Sequence, residues 1–270
     1  MGRVAIIGGQ GRLPIILAQA LEARGEPPLL TAMEQFPIED AGAREVTHFR
    51  IERLTLFLDH LHGQGVDRIV LAGIVRRPAL EPELIDPRTA QLVPRLLTAA
   101  QDGDDATLRA VIELIEEDGF SVLGVHEVAP ELVPSAGVLT DAQPASQDRQ
   151  DAERAARIVA ALGAVDVGQG AVVAGGLCLA VEALPGTDAM LAHVAETRPA
   201  GGGGVLYKAP KPGQERRVDL PTIGPLSVDK AARAGLSGIA FEAGGVLLID
   251  REETVARAEA AGLFLWARSP

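Results

Sequence analysis

Val4-Ala5-Ile6-Ile7 is a continuous apolar run, the pattern of a short strand buried on both faces. Gly8-Gly9-Gln10-Gly11 follows, and then Leu13, Ile16, Leu17, Ala20 and Leu21 recur at helical spacing until Gly25. Leu29–Ala32 and Arg68–Gly73 read as further strands, with a helix between them carrying Leu54, Phe57, Leu58 and Leu61 on one face. Leu108, Val111, Ile112 and Ile115 mark another amphipathic helix, for which Asp104 is a candidate cap, and Phe120–Val125 another strand. Strand alternating with helix predicts an open parallel sheet covered on both faces, a Rossmann-like domain over residues 1–130.

The pattern then changes. Residues 131–147 hold Pro134, Gly137, Pro144, Ser135 and Ser146 and read as a linker. From 148 to 270 the reading is an α+β mixed-sheet domain. An alanine-rich helix ends at Gly163, and Ala171–Val181 reads as a hairpin turning at Gly175-Gly176. Ile239–Ile249, with Gly244-Gly245, reads as a second hairpin of the same kind. Helices end at Gly235 and Gly262, and Leu263–Trp266 closes the chain as a strand. The fold class expected is therefore α/β with a second, mixed-sheet α+β domain.

The 270 residues are enough for two domains, and 47% hydrophobic content fills two cores, although aromatics are only 3%. So few aromatic residues argue against single-stranded nucleic-acid binding, and a net charge of −12 argues against nonspecific binding to DNA or RNA. The single cysteine, Cys178, lies in an apolar run and reads as a buried thiol in a reducing compartment. Nothing near Met1 reads as a signal peptide, and the longest apolar run is interrupted by Gly175, Gly176 and Glu182. The expectation is a cytoplasmic protein, with peripheral membrane contact left open.

Against that acidic background, Gly201–Pro225 is locally basic. Lys208, Lys211, Arg216 and Arg217 are opposed only by Glu215, and Pro210, Pro212 and Pro221 bar a helix. Cations on a turn-punctuated segment suit phosphate; they also suit a solvated strand edge. Asp219 follows, and the alternation Val218-Asp219-Leu220 would turn its carboxylate away from its neighbours, as a metal ligand or general base. The Gly8–Gly11 turn before a helix is a candidate anion site, or simply a tight strand-to-helix connection. Pro14 spoils a dinucleotide fingerprint and disfavours an NAD-dependent oxidoreductase, and no Lys-Ser/Thr completes a P-loop. Gly73, Arg76 and Arg77 follow the third strand, where basic residues reach a ligand or form an ordinary surface loop. His60 and His62 do not make a metal pair, and no activated serine or cysteine is evident. Carboxylates with a divalent metal remain, and a phosphorylated substrate held between two domains is the reading these pieces share.

The combined pattern resembles the LpxI family of UDP-2,3-diacylglucosamine pyrophosphatases. The matching pieces are IIGGQGRLP, AGIVRRP, GDDATLR, AVEALPGTD, VLYKAPKPGQERRVDLPTIGP, GIAFEAGGVLLIDREE and AAGLF, in one order over nearly the whole chain. The resemblance implies Mg²⁺-dependent hydrolysis of UDP-2,3-diacylglucosamine to 2,3-diacylglucosamine 1-phosphate (lipid X) and UMP, in lipid A synthesis of Gram-negative bacteria. It implies a lipid-linked nucleotide sugar as partner, and it places the essential aspartate on Asp219. Within the matching pieces, Gly8, Gly9, Gly11, Gly73, Arg76, Thr187, Lys208, Lys211, Gln214 and Thr222 become the substrate-binding candidates. Asp219, Asp188 and Glu182 become the candidate metal carboxylates. Contact with the inner membrane and a homodimer stay open. The sequence departs from the pattern at Glu215, where aspartate is expected, and at Ile74, where a polar residue is common. A nucleotide-sugar binding protein without turnover is the alternative.

Overall fold

In the computed structural model, which describes residues 2–76, 78–101, 103–198 and 201–270, the N-terminal apolar run becomes the middle strand of a five-stranded sheet. The elements of this first unit are β1 (Arg3–Gly8), α1 (Leu13–Ala23), β2 (Leu29–Met33), β3 (Val46–Phe49), α2 (Leu54–Gly63) and β4 (Val66–Ala72). They continue with α3 (Thr89–Gln101), α4 (Asp104–Glu117), β5 (Ser121–Leu123) and α5 (Val125–Val128). The strand order is β3-β2-β1-β4-β5, and every pairing is parallel. Val4, Ala5 and Ile6 are buried, as a central strand covered on both faces requires. The order reverses between β1 and β4, so their carboxyl ends form the switch point of a doubly wound sheet.

Three elements were not foreseen, and one strand was drawn too long. Strand β3 is only four residues, too short for an alternation to register. Helix α3 contains Pro94, and Thr89 is its one buried residue, so its apolar positions are only partly covered. The strand expected to reach Val125 stops at Leu123. The N–H of Gly124 there donates to the Glu127 carboxylate at 2.6 Å, which starts α5.

The chain divides into two compact units, Met1–Pro130 and Glu131–Pro270. The second unit holds β6 (Gly137–Val138), α6 (Ser146–Gly163), β7 (Gly170–Ala174), β8 (Leu177–Val181), α7 (Gly186–Thr197) and β9 (Val205–Lys208). It continues with β10 (Thr222–Ile223), α8 (Pro225–Arg233), β11 (Gly238–Glu242), β12 (Leu247–Leu248), α9 (Arg251–Ala260) and β13 (Phe264–Arg268). Six strands form a mixed sheet in the order β6-β13-β11-β9-β7-β8; β9, β11 and β13 run parallel, and β6, β7 and β8 make the antiparallel pairings. The stretch 131–147, read as linker, carries β6 and the first turn of α6, so its backbone belongs to this unit.

Both faces of that sheet are covered. Val205 and Tyr207 pack with Ala152, Ala155 and Val159 of α6. Leu206, Ile239 and Phe241 pack with Leu191 and Val194 of α7, Val228 of α8 and Ala258 of α9. Alternation along β9 therefore places Lys208 on the same face as Leu206, toward α7.

The two Gly-Gly sequences behave differently. β7 and β8 form the expected hairpin, with Gly175 and Gly176 at φ 56° and 77°, as a type I′ turn requires. The second hairpin is absent. β11 pairs in parallel with β9 and β13, whereas β12 pairs in parallel with β10 in a separate two-stranded sheet. Only Gly244 takes a positive φ, 73°. Gly245 is needed for room, since a Cβ there would lie 2.6 Å from Glu242 Oε1. Cys178 is exposed rather than buried, because β8 is an edge strand of this sheet.

The first hairpin is clasped by Asp151 of α6, 1% exposed, which accepts the N–H of Gly175 at 2.9 Å and of Gly176 at 2.7 Å. Asp151→Ala leaves both donors without that acceptor and should cost about 1–3 kcal/mol of stability. Urea denaturation checks this, and an unchanged midpoint would show the clasp to be idle.

Candidate functional site

Lys208 ends β9 with 5% exposure. Its Nζ donates to Thr187 Oγ1, in the first turn of α7, at 2.7 Å and lies 3.6 Å from Glu182 Oε2. Glu182 is held by its own N–H, which donates to the Gly170 carbonyl at 2.8 Å; Gly170 is the register partner of Lys208. A Cβ on Gly168 would come within 2.1 Å of the Glu182 carbonyl oxygen, and one on Gly170 within 2.6 Å of Glu182 Oε2. These two glycines make the space for Glu182. Apart from Lys208, Glu182 Oε2 is a buried oxygen with no hydrogen-bond partner. The result is a cation, a hydroxyl and a carboxylate grouped at the end of β9.

The chain from Ala209 to Pro221 leaves the sheet as turns. Lys211 pairs with Asp166 through its ammonium group. Gln214, 7% exposed, accepts at Oε1 from Gln169 Nε2 and from the Lys211 N–H, both at 2.8 Å. Its Nε2 donates to the Asp219 main-chain carbonyl at 2.6 Å and to the Asp219 carboxylate Oδ2. The N–H of Asp219 donates to the Glu215 carbonyl at 3.2 Å. Residues 215–219 therefore turn, and the strand-like alternation expected at Val218-Asp219-Leu220 does not occur. The turn's own hydrogen bond and the buried amide fix Asp219 instead.

The other charges of this segment are engaged with protein carboxylates. Arg216 pairs with Glu242 at 2.9 Å. Glu215 takes the Arg217 N–H at 3.1 Å, Nε at 3.0 Å and Nη2 at 2.9 Å. Glu215, the departure from the expected aspartate, is thus committed to Arg217. Tyr207 faces α6; burial pushes its phenol up, with Arg268 opposing the rise, so it stays neutral at neutral pH.

The remaining candidates lie elsewhere. Asp188 is exposed and pairs with Lys230 at 2.5 Å. Thr222 sits in β10 beside Leu247. Asp219, Asp188 and Glu182 do not gather: among the described residues, no three His, Cys, Asp or Glu side chains are grouped to hold a metal ion. In the first unit the N–H groups of Gly9 and Gln10 donate to the carbonyls of Ala72 at 2.8 Å and Ile74 at 3.0 Å, and the Ile74 N–H returns to Gln10 at 2.9 Å. A Cβ on Gly9 would stand 2.4 Å from the Ile74 oxygen, one on Gly73 2.8 Å from the Gln10 oxygen, and one on Gly8 2.5 Å from Ile38. Close backbone approach between these two turns accounts for Gly9 and Gly73, the Ile38 side chain accounts for Gly8, and Gly11 meets a positive φ of 89°. Arg76 is exposed, and Arg77 lies outside the described residues. Gln169 and Asp166 were missed. Their sequence signal is slight, because each acts on a partner some 45 residues away.

Fold and site define a protein of two α/β units, the first a parallel doubly wound sheet and the second a mixed sheet bearing the cation, the hydroxyl and the fixed carboxylate. Residues 3–132 match the LpxI N-terminal domain, and residues 135–266 match the LpxI C-terminal domain. The chain is 41% identical over 276 residues to UDP-2,3-diacylglucosamine pyrophosphatase LpxI of Caulobacter vibrioides, a match spanning 100% of this chain and 99% of that protein. The chain belongs to the LpxI family.

Lys208 and Glu182 are mutually dependent. Lys208→Met leaves the Glu182 carboxylate without its cation and should lower stability by about 3 kcal/mol. Lys208→Met/Glu182→Gln should recover most of that loss. Denaturant midpoints of the two proteins check the pair, and equal midpoints would mean that it contributes nothing.

Proposed function

We propose that the chain is a hydrolase of a phosphoric anhydride, cleaving the pyrophosphate of UDP-2,3-diacylglucosamine to UMP and 2,3-diacylglucosamine 1-phosphate. The carrying observation is the buried Lys208, bonded to Thr187, in the same unit as the fixed Asp219 carboxylate, inside a segment of the family's C-terminal domain. The named activity of the relative supports the same reading.

In this reading water adds to one phosphorus, the bridging P–O bond breaks, and two phosphate monoesters leave. Asp219 takes the proton of the attacking water or orients it. Lys208 offers a partly desolvated charge to phosphate oxygens, where it is worth more than in water, and Thr187 adds a hydroxyl. Phosphate binding would exchange the Lys208–Glu182 contact for a Lys208–phosphate contact.

A divalent ion fits one mode only. Without a cluster of three ligands, an all-protein cage is excluded among the described residues. One carboxylate completed by substrate phosphate oxygens and water is how Mg²⁺ is commonly held. Asp219, its carboxylate held by the Gln214 amide, is the residue proposed to hold it. Mg²⁺ so bound would neutralise charge on the phosphate oxygens. Among the described residues no helix is long and apolar enough to cross a membrane. A diacylated substrate would therefore be met by peripheral contact with the inner membrane.

Asp219→Ala and Asp219→Asn should lower kcat for UMP release by about 10²–10⁴, with a small change in KM and no more stability lost than the one hydrogen bond from Gln214, about 1 kcal/mol. Chelation with EDTA should abolish turnover, and added Mg²⁺ should restore it. Substrate binding without UMP release by the native protein would mark a binding protein. A folded Asp219→Ala protein at wild-type kcat would remove Asp219 from the chemistry.

A further inference from the structure

We propose that Gln169 is a positioning residue that sets the polarity of the Gln214 amide and through it orients the Asp219 carboxylate. The inference rests on the role of Asp219 proposed above and extends it to a residue that meets Asp219 through Gln214.

A glutamine amide has an oxygen that only accepts and a nitrogen that only donates. Gln169 Nε2 and the Lys211 N–H both donate to the Gln214 oxygen at 2.8 Å. Two donors at one end leave only the nitrogen to face Asp219, where it meets the main-chain carbonyl and carboxylate Oδ2. Rotating the amide by half a turn would set N–H against N–H on one side and oxygen against carboxylate on the other. Gln214 is too buried for water to compensate such a reversal.

The backbone of Gln169 is itself fixed. Its main-chain carbonyl accepts the Ala209 N–H at 3.1 Å, just beyond the paired strands β7 and β9. The Gln214 N–H donates to the Lys211 carbonyl at 3.1 Å, closing the turn that presents the amide. The ends of β7 and β9 thus aim Gln169, Gln169 aims Gln214, and Gln214 aims Asp219.

The test compares Gln169→Glu with Gln169→Leu. Glutamate nearly keeps the shape of glutamine but turns an acceptor toward the Gln214 oxygen, whereas leucine only removes the donor. The relay predicts that kcat for UMP release falls about 10-fold in Gln169→Leu and about 100-fold in Gln169→Glu, with KM little changed and both proteins folded at the assay temperature, although each loses some stability with the buried hydrogen bond. A packing role predicts the reverse order, with leucine worse and the loss tracking stability. In the unliganded enzyme, the Gln214 side-chain amide protons should exchange slowly by NMR and lose that protection in Gln169→Glu. Asp219→Ala is assayed alongside. If it is inactive while Gln169→Glu keeps wild-type kcat or amide protection, the relay is wrong and the role of Asp219 stands. If Asp219→Ala is active, the role of Asp219 fails and the relay's catalytic purpose fails with it.

Discussion

The site depends on one buried amide. Gln214 joins the segment before β7, the turn at Lys211 and the carboxylate of Asp219, using the acceptor end for the first two and the donor end for the third. Among the described residues, the chain between β9 and β10 has no strand or helix of its own. Such a segment keeps a defined shape only if its polar groups find fixed partners. The amide supplies them and at the same time holds the carboxylate in one direction. Structure and chemistry therefore rest here on the same hydrogen bonds.

The second constraint is charge compensation. A run of four cations in an acidic protein looks like an open anion site, yet each has a protein carboxylate: Glu182, Asp166, Glu242 and Glu215. Arg216, half exposed, gains little from its partner. Lys208 is enclosed and its pairing to Glu182 is loose, which is why it is the cation proposed to take the phosphate. Affinity would then be a difference between two contacts, not the strength of one.

Much of the first unit was legible because buried parallel strands write themselves as unbroken apolar runs, as Val4–Ile7 does. Four-residue β3 and Pro-containing α3 were not, since length and proline argued against them. The Gly-Gly signal misled once. Gly175-Gly176 and Gly244-Gly245 look alike in sequence, but a type I′ turn needs positive φ at both residues, and only the first pair provides it. The glycines at 8, 9 and 73 suggested a ligand, and their immediate reason is backbone against backbone and side chain. In the site, the residue types of Lys208 and Asp219 pointed to phosphate chemistry, and the family resemblance added Thr187 and Gln214. Their partners could not be read, because Gln169 meets Gln214 only once β7 and β9 have paired. The strand-like alternation assumed around Asp219 failed for the same reason: a local pattern was overruled by a turn that a distant amide secures.

A crystal structure with UMP and Mg²⁺ bound tests the central claim, that phosphate is handled in the second unit at the end of β9. The account predicts a phosphate oxygen within hydrogen-bond distance of Lys208 Nζ or Thr187 Oγ1, with the Gln214–Asp219 hydrogen bonds intact. A phosphate seated only on the turn between β1 and α1, with Lys208 still on Glu182 and Thr187, would contradict it.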